Sequence, residues 1–162
     1  MQDAKTPLNG KNLPTGGLRE ALASGTAESV VQALEKMIER KEGENENWHA
    51  RSVSLLHSMI PPLVWLRDNK GLQMSDLGGL REMISFTEAV KMSRNAEIPA
   101  PARETLQEFL RTLSDYDDSH YDEIGVFIAA SGGDEQATKT QFNYLSMRLQ
   151  RELITLQQDG ME

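Results

Sequence analysis

The chain has 162 residues, about the size of a single domain, with 38% hydrophobic and only 6% aromatic residues, which predicts an aliphatic, methionine-rich core. The absence of cysteine excludes disulfides, thiolate catalysis and sulfur-ligated zinc. A net charge of −8 argues against nucleic-acid affinity over the whole surface, because phosphate binding needs clustered cations.

The first part of the chain is rich in residues that break regular structure. Two prolines and three glycines between Pro7 and Gly17 predict that residues 1–23 form a loosely ordered lead-in, with at most a short helical turn from Leu18 to Ala23. The all-α domain is therefore predicted to cover residues 24–162. From Thr26 onward, apolar residues at helical spacing predict a first helix over residues 26–42.

A second helix is predicted over residues 47–70. Apolar residues recur there at helical spacing, Asn47 can cap the start, and Gly71 can end the helix. Pro61 and Pro62 lie in its middle, and each removes a backbone donor at a cost of about 3 kcal/mol. We expect the helix to bend or split near Ile60.

The remaining chain also follows helical patterns. Short helices are predicted from Ser75, as an N-cap, and over residues 87–94, followed by a proline-led helix from about Ala100 and a long last helix opened by Asp134. Between the last two, residues 126–129 are equally compatible with a strand and a short helix. The fold class is therefore all-α, an irregular bundle of five to seven helices.

Motifs for catalysis, cofactors or metals are not visible in the sequence. His49 and His57 are eight residues apart, too far for a metal-binding pair one helical turn apart. A calcium-binding loop counted from Asp115 would place His120 where glycine is required. No phosphate-binding glycine loop or nucleophile motif is present. We expect no metal, no cofactor and no enzymatic activity of this chain alone.

Four segments, taken in order, carry a family resemblance over roughly Trp48 to Leu156: NWHARSVSLLHSMIPPLVWLRDNKGLQMS, DLGGLREMISFTEAVKMS, IPAPARETLQEFLRTLSDYDD and ATKTQFNYLSMRLQREL. Together they resemble the all-α domain inserted in the motor of type IV coupling proteins, the hexameric ATPases of conjugation and type IV secretion. The resemblance implies a substrate-receptor domain at the cytoplasmic end of the motor. Its partners would be single-stranded DNA, a relaxase or adaptor–effector complexes.

The same resemblance has implications for the parent protein. The ATP-binding loop and the transmembrane helices of such a polypeptide lie outside this domain. The parent would then be an ATPase anchored in the bacterial inner membrane, able to form a hexamer, while this domain stays cytoplasmic without direct membrane contact. A stand-alone helical adaptor that binds another protein through an apolar groove is the alternative, and an enzyme of unknown type is a third.

Charge is unevenly distributed, as is typical of ordinary solvated faces, and the alternative is that it marks two binding regions. Residues 48–94 have a net charge of +2 and residues 95–162 a net charge of −8. We therefore expect any DNA binding to be weak, salt-sensitive and located at Arg81, Lys91 and Arg94. The acidic turn is expected to attract a basic protein partner or to remain a solvated loop, and consists of Asp115, Asp117, Asp118, Asp122 and Glu123.

Overall fold

The computed structural model describes residues 15–38, 46–74 and 76–158. These residues form seven α-helices and no regular strand, which confirms the all-α class and the expected number of helices. The helices are α1 (Thr15–Ser24), α2 (Ala27–Met37), α3 (Glu46–Lys70), α4 (Leu77–Met83), α5 (Phe86–Arg94), α6 (Ala100–Arg111) and α7 (Glu135–Gln158).

Side-chain caps fix where several helices begin. The Thr26 hydroxyl accepts a hydrogen bond from the Ser29 amide at 3.1 Å, as the sequence predicts for the start of α2. The N-cap of α4 is Asp76, whose carboxylate accepts from the Gly79 amide at 2.7 Å, and not Ser75, which lies outside the described residues. Ser85 caps α5, which begins at Phe86, one residue before the predicted start. Capping therefore explains these boundaries to within a residue.

Helix α3 lies at the centre of the bundle and packs against α2, α6 and α7. The predicted split near Ile60 is wrong, because α3 continues through Pro61 and Pro62 to Lys70. Apolar side chains before and after the prolines, including Met59 and Leu63, are completely buried. Burying each contributes about 1.5–3 kcal/mol, which offsets the helical penalty of about 3 kcal/mol for each proline.

Helix α1 corrects the predicted domain boundary. Residues 15–23 are helical rather than loosely ordered, and Leu18 and Leu22 are fully buried. The part of the lead-in that the structure describes therefore belongs to the core, while residues 1–14 lie outside the described range. Burial of these two leucines outweighs the helix-breaking effect of the neighbouring glycines.

Aromatic side chains join α5, α6 and α7 at one end of the bundle. The ring of Phe142 lies edge-on to Phe86 and Phe109, with centroid distances of 5.7 and 6.2 Å. This cluster supports residues 112–134, the long connection between α6 and α7. None of the described helices is both long and apolar enough to cross a membrane.

Candidate functional site

Residues 120–128, in the α6–α7 connection, form a short antiparallel hairpin. The Asp122 amide donates to the Val126 carbonyl at 2.9 Å, and the Ile128 amide donates to the His120 carbonyl at 2.8 Å. Tyr121 and Phe127 form the one bridge between the two arms. The sequence predicts a strand and a short helix equally for residues 126–129. The structure has part of each, because the extended arm of the hairpin is followed by a 3₁₀ turn over Ala129–Ser131.

The turn of the hairpin is shaped by Asp122 and Gly125. The Asp122 carboxylate accepts hydrogen bonds from the amides of Ile124 and Val126 at 3.0 and 2.8 Å. Gly125 has a φ of 86°, which favours glycine. A Cβ atom at this position would lie 2.7 Å from the Cα of Lys91. The turn is thus fixed internally and packs directly on α5.

The inner face of the hairpin is aromatic and anchored to the bundle. The buried ring of Tyr121 stacks on Tyr116 and lies edge-on to Phe127, each at a centroid distance of 5.6 Å. Its hydroxyl donates to the Glu135 carboxylate at 3.1 Å. Burial is the main cause that raises the pKa of Tyr121, and the hydrogen bond to the Glu135 carboxylate is the second. These contacts hold the hairpin in one orientation.

The outer face of the hairpin exposes aliphatic side chains. Ile124, Val126 and Ile128 are 66%, 50% and 37% exposed, and we call these three residues the apolar row. Alternate residues of an extended arm point to opposite faces, so Val126 and Ile128 face outward while Phe127 faces inward. Ile124 is the most exposed large apolar side chain in the described part of the chain.

Three residues of the predicted acidic turn have structural roles. Asp118 forms an ion pair with Arg111. The Nε and Nη2 atoms of Arg111 both donate to one oxygen of the Asp118 carboxylate, at 3.0 and 2.7 Å. Asp117 accepts from the amide and hydroxyl of Ser119 at 2.9 and 2.8 Å, and these hydrogen bonds lower its pKa. Asp122 shapes the hairpin turn, as described above. Their carboxylates are therefore already engaged.

Asp115 and Glu123 differ from the other three acids. Both are exposed, and neither forms a hydrogen bond or ion pair with another residue of the described ranges. Asp115 has a φ of 64° and lines a polar cleft with His120 at the base of the hairpin, whereas Glu123 precedes Ile124 in the turn. Residues 112–138 contain seven acids and no lysine or arginine, while Lys91 and Arg94 of α5 also lie beside the hairpin.

The three predicted DNA-binding cations do not form one free cluster. Arg81 is half-buried and donates to the side chains of Gln150 and Gln157 on α7 at 3.3 and 3.2 Å. Arg94 donates to the Asp122 carbonyl at 3.2 Å. Lys91 is exposed, but it lines a groove together with Glu123. Two of the cations therefore lie beside the acidic hairpin, and Arg81 links α4 to α7.

A groove of about 550 Å³ adjoins the hairpin turn. It lies between the hairpin turn and the C-terminal half of α5 with the residues that follow it, and is lined by Lys91, Asn95, Ala96, Glu97, Glu123 and Ile124. The described residues contain no group of three or more histidine, aspartate or glutamate side chains that could hold a metal ion.

Comparisons with protein-family models, with curated proteins and with solved structures find no match for this chain. The candidate site therefore depends on the geometry described above. Sequence reasoning missed the apolar row, although two signals indicated it: the alternation of Ile124, Val126 and Ile128, and an aspartate followed by glycine three residues later, which is typical of a turn.

Proposed function

We propose that this chain is a substrate-receptor domain of a type IV coupling protein and that it receives protein cargo, a relaxase or an adaptor–effector complex, at the hairpin. The resemblance of residues 48–156 supports the choice of family. The observation that supports protein binding is the apolar row, three aliphatic side chains exposed together on a well-anchored hairpin.

Side chains that stay exposed forgo the favourable free energy that burial against another molecule would contribute. An aliphatic side chain transferred from water to a buried site contributes about 1.5–3 kcal/mol. Single exposed apolar residues are common on protein surfaces, but contiguous exposed groups often mark interfaces. Val126 and Ile128 share the outer face of one arm and Ile124 is exposed in the adjoining turn, and the row is therefore closer to this second pattern.

The electrostatic environment favours a protein over DNA as the cargo. Phosphate binding depends on several accessible cations, because each contact releases counterions. Arg81 and Arg94 already donate to groups within the bundle, and Lys91 lies beside Glu123. Seven acids over residues 112–138 would also repel a phosphate backbone at this surface.

In the proposed setting, the domain lies at the cytoplasmic end of a hexameric, membrane-anchored ATPase. Six copies of a weak site would then increase the effective concentration of cargo around the ring. A stand-alone helical adaptor would use the same apolar row. The two possibilities differ in the encoding gene, because only a coupling protein contains an ATP-binding loop in the sequence flanking this domain.

Photo-crosslinking in cells that carry the transfer system tests the receptor function. A photoreactive amino acid placed at Val126 should crosslink a relaxase or an adaptor, identified by mass spectrometry, whereas the same group at exposed Glu20 on α1 should not. If no surface position yields a crosslink to a transferred protein, the proposal is contradicted.

Titration of single-stranded DNA tests the choice of cargo. We expect weak binding that is nearly the same for the wild type and for a triple variant with Arg81, Lys91 and Arg94 changed to glutamate. Tight binding that the triple variant abolishes would instead identify DNA as the ligand and these cations as its site. Circular dichroism of the variant is needed as a control, because Arg81 links α4 to α7.

A further inference from the structure

We infer that the apolar row, with the carboxylates of Asp115 and Glu123, forms a docking surface for a basic segment of the cargo protein that bears aliphatic side chains. This inference rests on the proposed receptor function and adds the chemistry of the segment that is recognised. The partner contributes leucine, isoleucine or valine against the row, and lysine or arginine toward the two carboxylates.

The apolar part of the surface has a length that suits a short segment. Val126 and Ile128 are two residues apart on the extended arm, or about 7 Å at the rise of a strand, and Ile124 lies in the adjoining turn. Two turns of a partner helix extend over about 11 Å, so one helical face can contact the whole row. The adjoining groove, whose lining includes Ala96 and Ile124, has room for an additional aliphatic side chain.

The carboxylates of this surface determine the sign of the charge that the partner segment must carry. Within the described chain, Arg111 already compensates the charge of Asp118, and one oxygen of the Asp122 carboxylate accepts from two backbone amides. Asp115 and Glu123 are exposed and have no such partner in that part of the chain. A lysine or arginine of the cargo can pair with either one. Ion pairs at the rim of an interface mainly increase the association rate and its dependence on salt.

The surface is also preformed. Asp122 fixes the turn, and the aromatic inner face holds the hairpin against the bundle through Tyr121. Binding then requires little ordering of the receptor, which reduces the entropic cost of association. Anionic membranes are a poorer ligand for the same apolar row, because their negative surface potential repels the surrounding carboxylates.

Fluorescence anisotropy with defined peptides tests the inference on the full 162-residue chain. The probe is a labelled 14-residue amphipathic peptide of leucine and lysine. One comparison peptide replaces lysine with glutamate, and a second replaces leucine with serine. We expect saturable binding of the leucine–lysine peptide and at least tenfold weaker binding of both comparison peptides.

Two variants separate the apolar and the charged contributions. Ile124→Thr combined with Val126→Thr keeps β-branched side chains in the hairpin and should weaken binding about tenfold or more, from the apolar area lost. Asp115→Asn combined with Glu123→Gln should weaken binding severalfold at low salt and reduce its dependence on salt. Asparagine tolerates the positive φ at position 115.

Matched control variants carry the same chemical changes on other surfaces. Met147→Thr removes an exposed apolar side chain from α7, and Glu20→Gln with Glu28→Gln removes two exposed charges from α1 and α2. Both should bind like the wild type. Equal losses in control and hairpin variants would overturn the inference, since binding would then reflect general charge or hydrophobicity.

The remaining outcomes separate this inference from the proposed function. If cargo crosslinks in cells through Met147 but never through Val126, the receptor function survives and the hairpin surface is refuted. If the chain binds vesicles of anionic phospholipid through the apolar row and ignores the leucine–lysine peptide, the ligand is a membrane and the inference is wrong. If the Ile124→Leu variant, which keeps an aliphatic side chain, loses binding like the threonine pair, the apolar contact is also wrong.

Discussion

Arg67 fixes α1 to the centre of the bundle, and replacing it should detach that helix. From α3, its guanidinium donates to the carbonyls of Ala21, Leu22 and Gly25 at 3.3, 3.0 and 2.6 Å. These carbonyls lie at or just beyond the C-terminal end of α1, where a cation interacts favourably with the helix dipole, and that of Ala21 also accepts from the Gly25 amide at 2.8 Å. We predict that Arg67→Met destabilises the protein mainly by releasing α1.

The expected magnitude follows from the burial and geometry of the contact. The Arg67 side chain is only 7% exposed, so solvent screens its hydrogen bonds weakly. A hydrogen bond to a charged group contributes about 1.5–3 kcal/mol, and two of the three bonds are short. The ion pair with exposed Asp68 adds little. We therefore expect a loss of about 3–5 kcal/mol, a large share of the roughly 5–15 kcal/mol of a typical domain.

Urea unfolding followed by circular dichroism measures the total loss, and hydrogen exchange locates it. Amides of α1 should exchange much faster in the variant, whereas amides of α6 should change less. Arg51→Met is the matched control, because Arg51 is an exposed arginine on the same helix and should change stability by no more than about 0.5 kcal/mol. A loss below about 1 kcal/mol for Arg67→Met, or unchanged exchange in α1, would refute the argument.

Three further predictions concern stability. Gly125→Ala should lower the melting temperature more than Gly132→Ala, because both glycines have positive φ but only Gly125 lacks space for a Cβ atom; equal effects would contradict this. Thr26→Ala should cost about 1 kcal/mol in urea unfolding by removing the cap of α2, and Thr26→Ser should not. Burial, with the Asp118 carboxylate, raises the pKa of Tyr116 to about 12. Because Tyr116 loses its proton at lower pH in the unfolded chain than in the folded protein, the free energy of unfolding should fall above about pH 10. The fall should be less steep in Tyr116→Phe, and identical pH profiles of the two proteins would contradict this prediction.

The helices could be predicted from sequence because their signals are local. Apolar spacing and capping residues located most helix starts to within a residue or two, as at Thr26. The errors occurred where distant contacts decide the outcome. Helix α1 depends on Arg67, which lies more than forty residues away, and α3 passes through Pro61 because its flanking side chains are buried. Neither partner can be identified from local sequence.

The same limitation applies to the candidate site. Arg81 and Arg94 were chosen as DNA-binding residues because the charge of residues 48–94 is positive. Charge balance does not show that Arg81 faces Gln150 or that Arg94 contacts the Asp122 carbonyl. The acidic turn has a local signal, since Asp117 and Asp122 bond to amides a few residues away. Which acids stay available for a partner depends on such contacts.

The register of the hairpin connects its stability to its proposed function. Side chains on an extended arm alternate between faces, so a shift of one residue would exchange the inner and outer sets. The turn at Asp122 and Gly125 prevents that shift, which keeps Phe127 in the aromatic cluster and Val126 exposed. Residues that shape the hairpin are therefore distinct from those proposed to bind cargo. Substitutions in the apolar row should for this reason alter binding while leaving the hairpin folded.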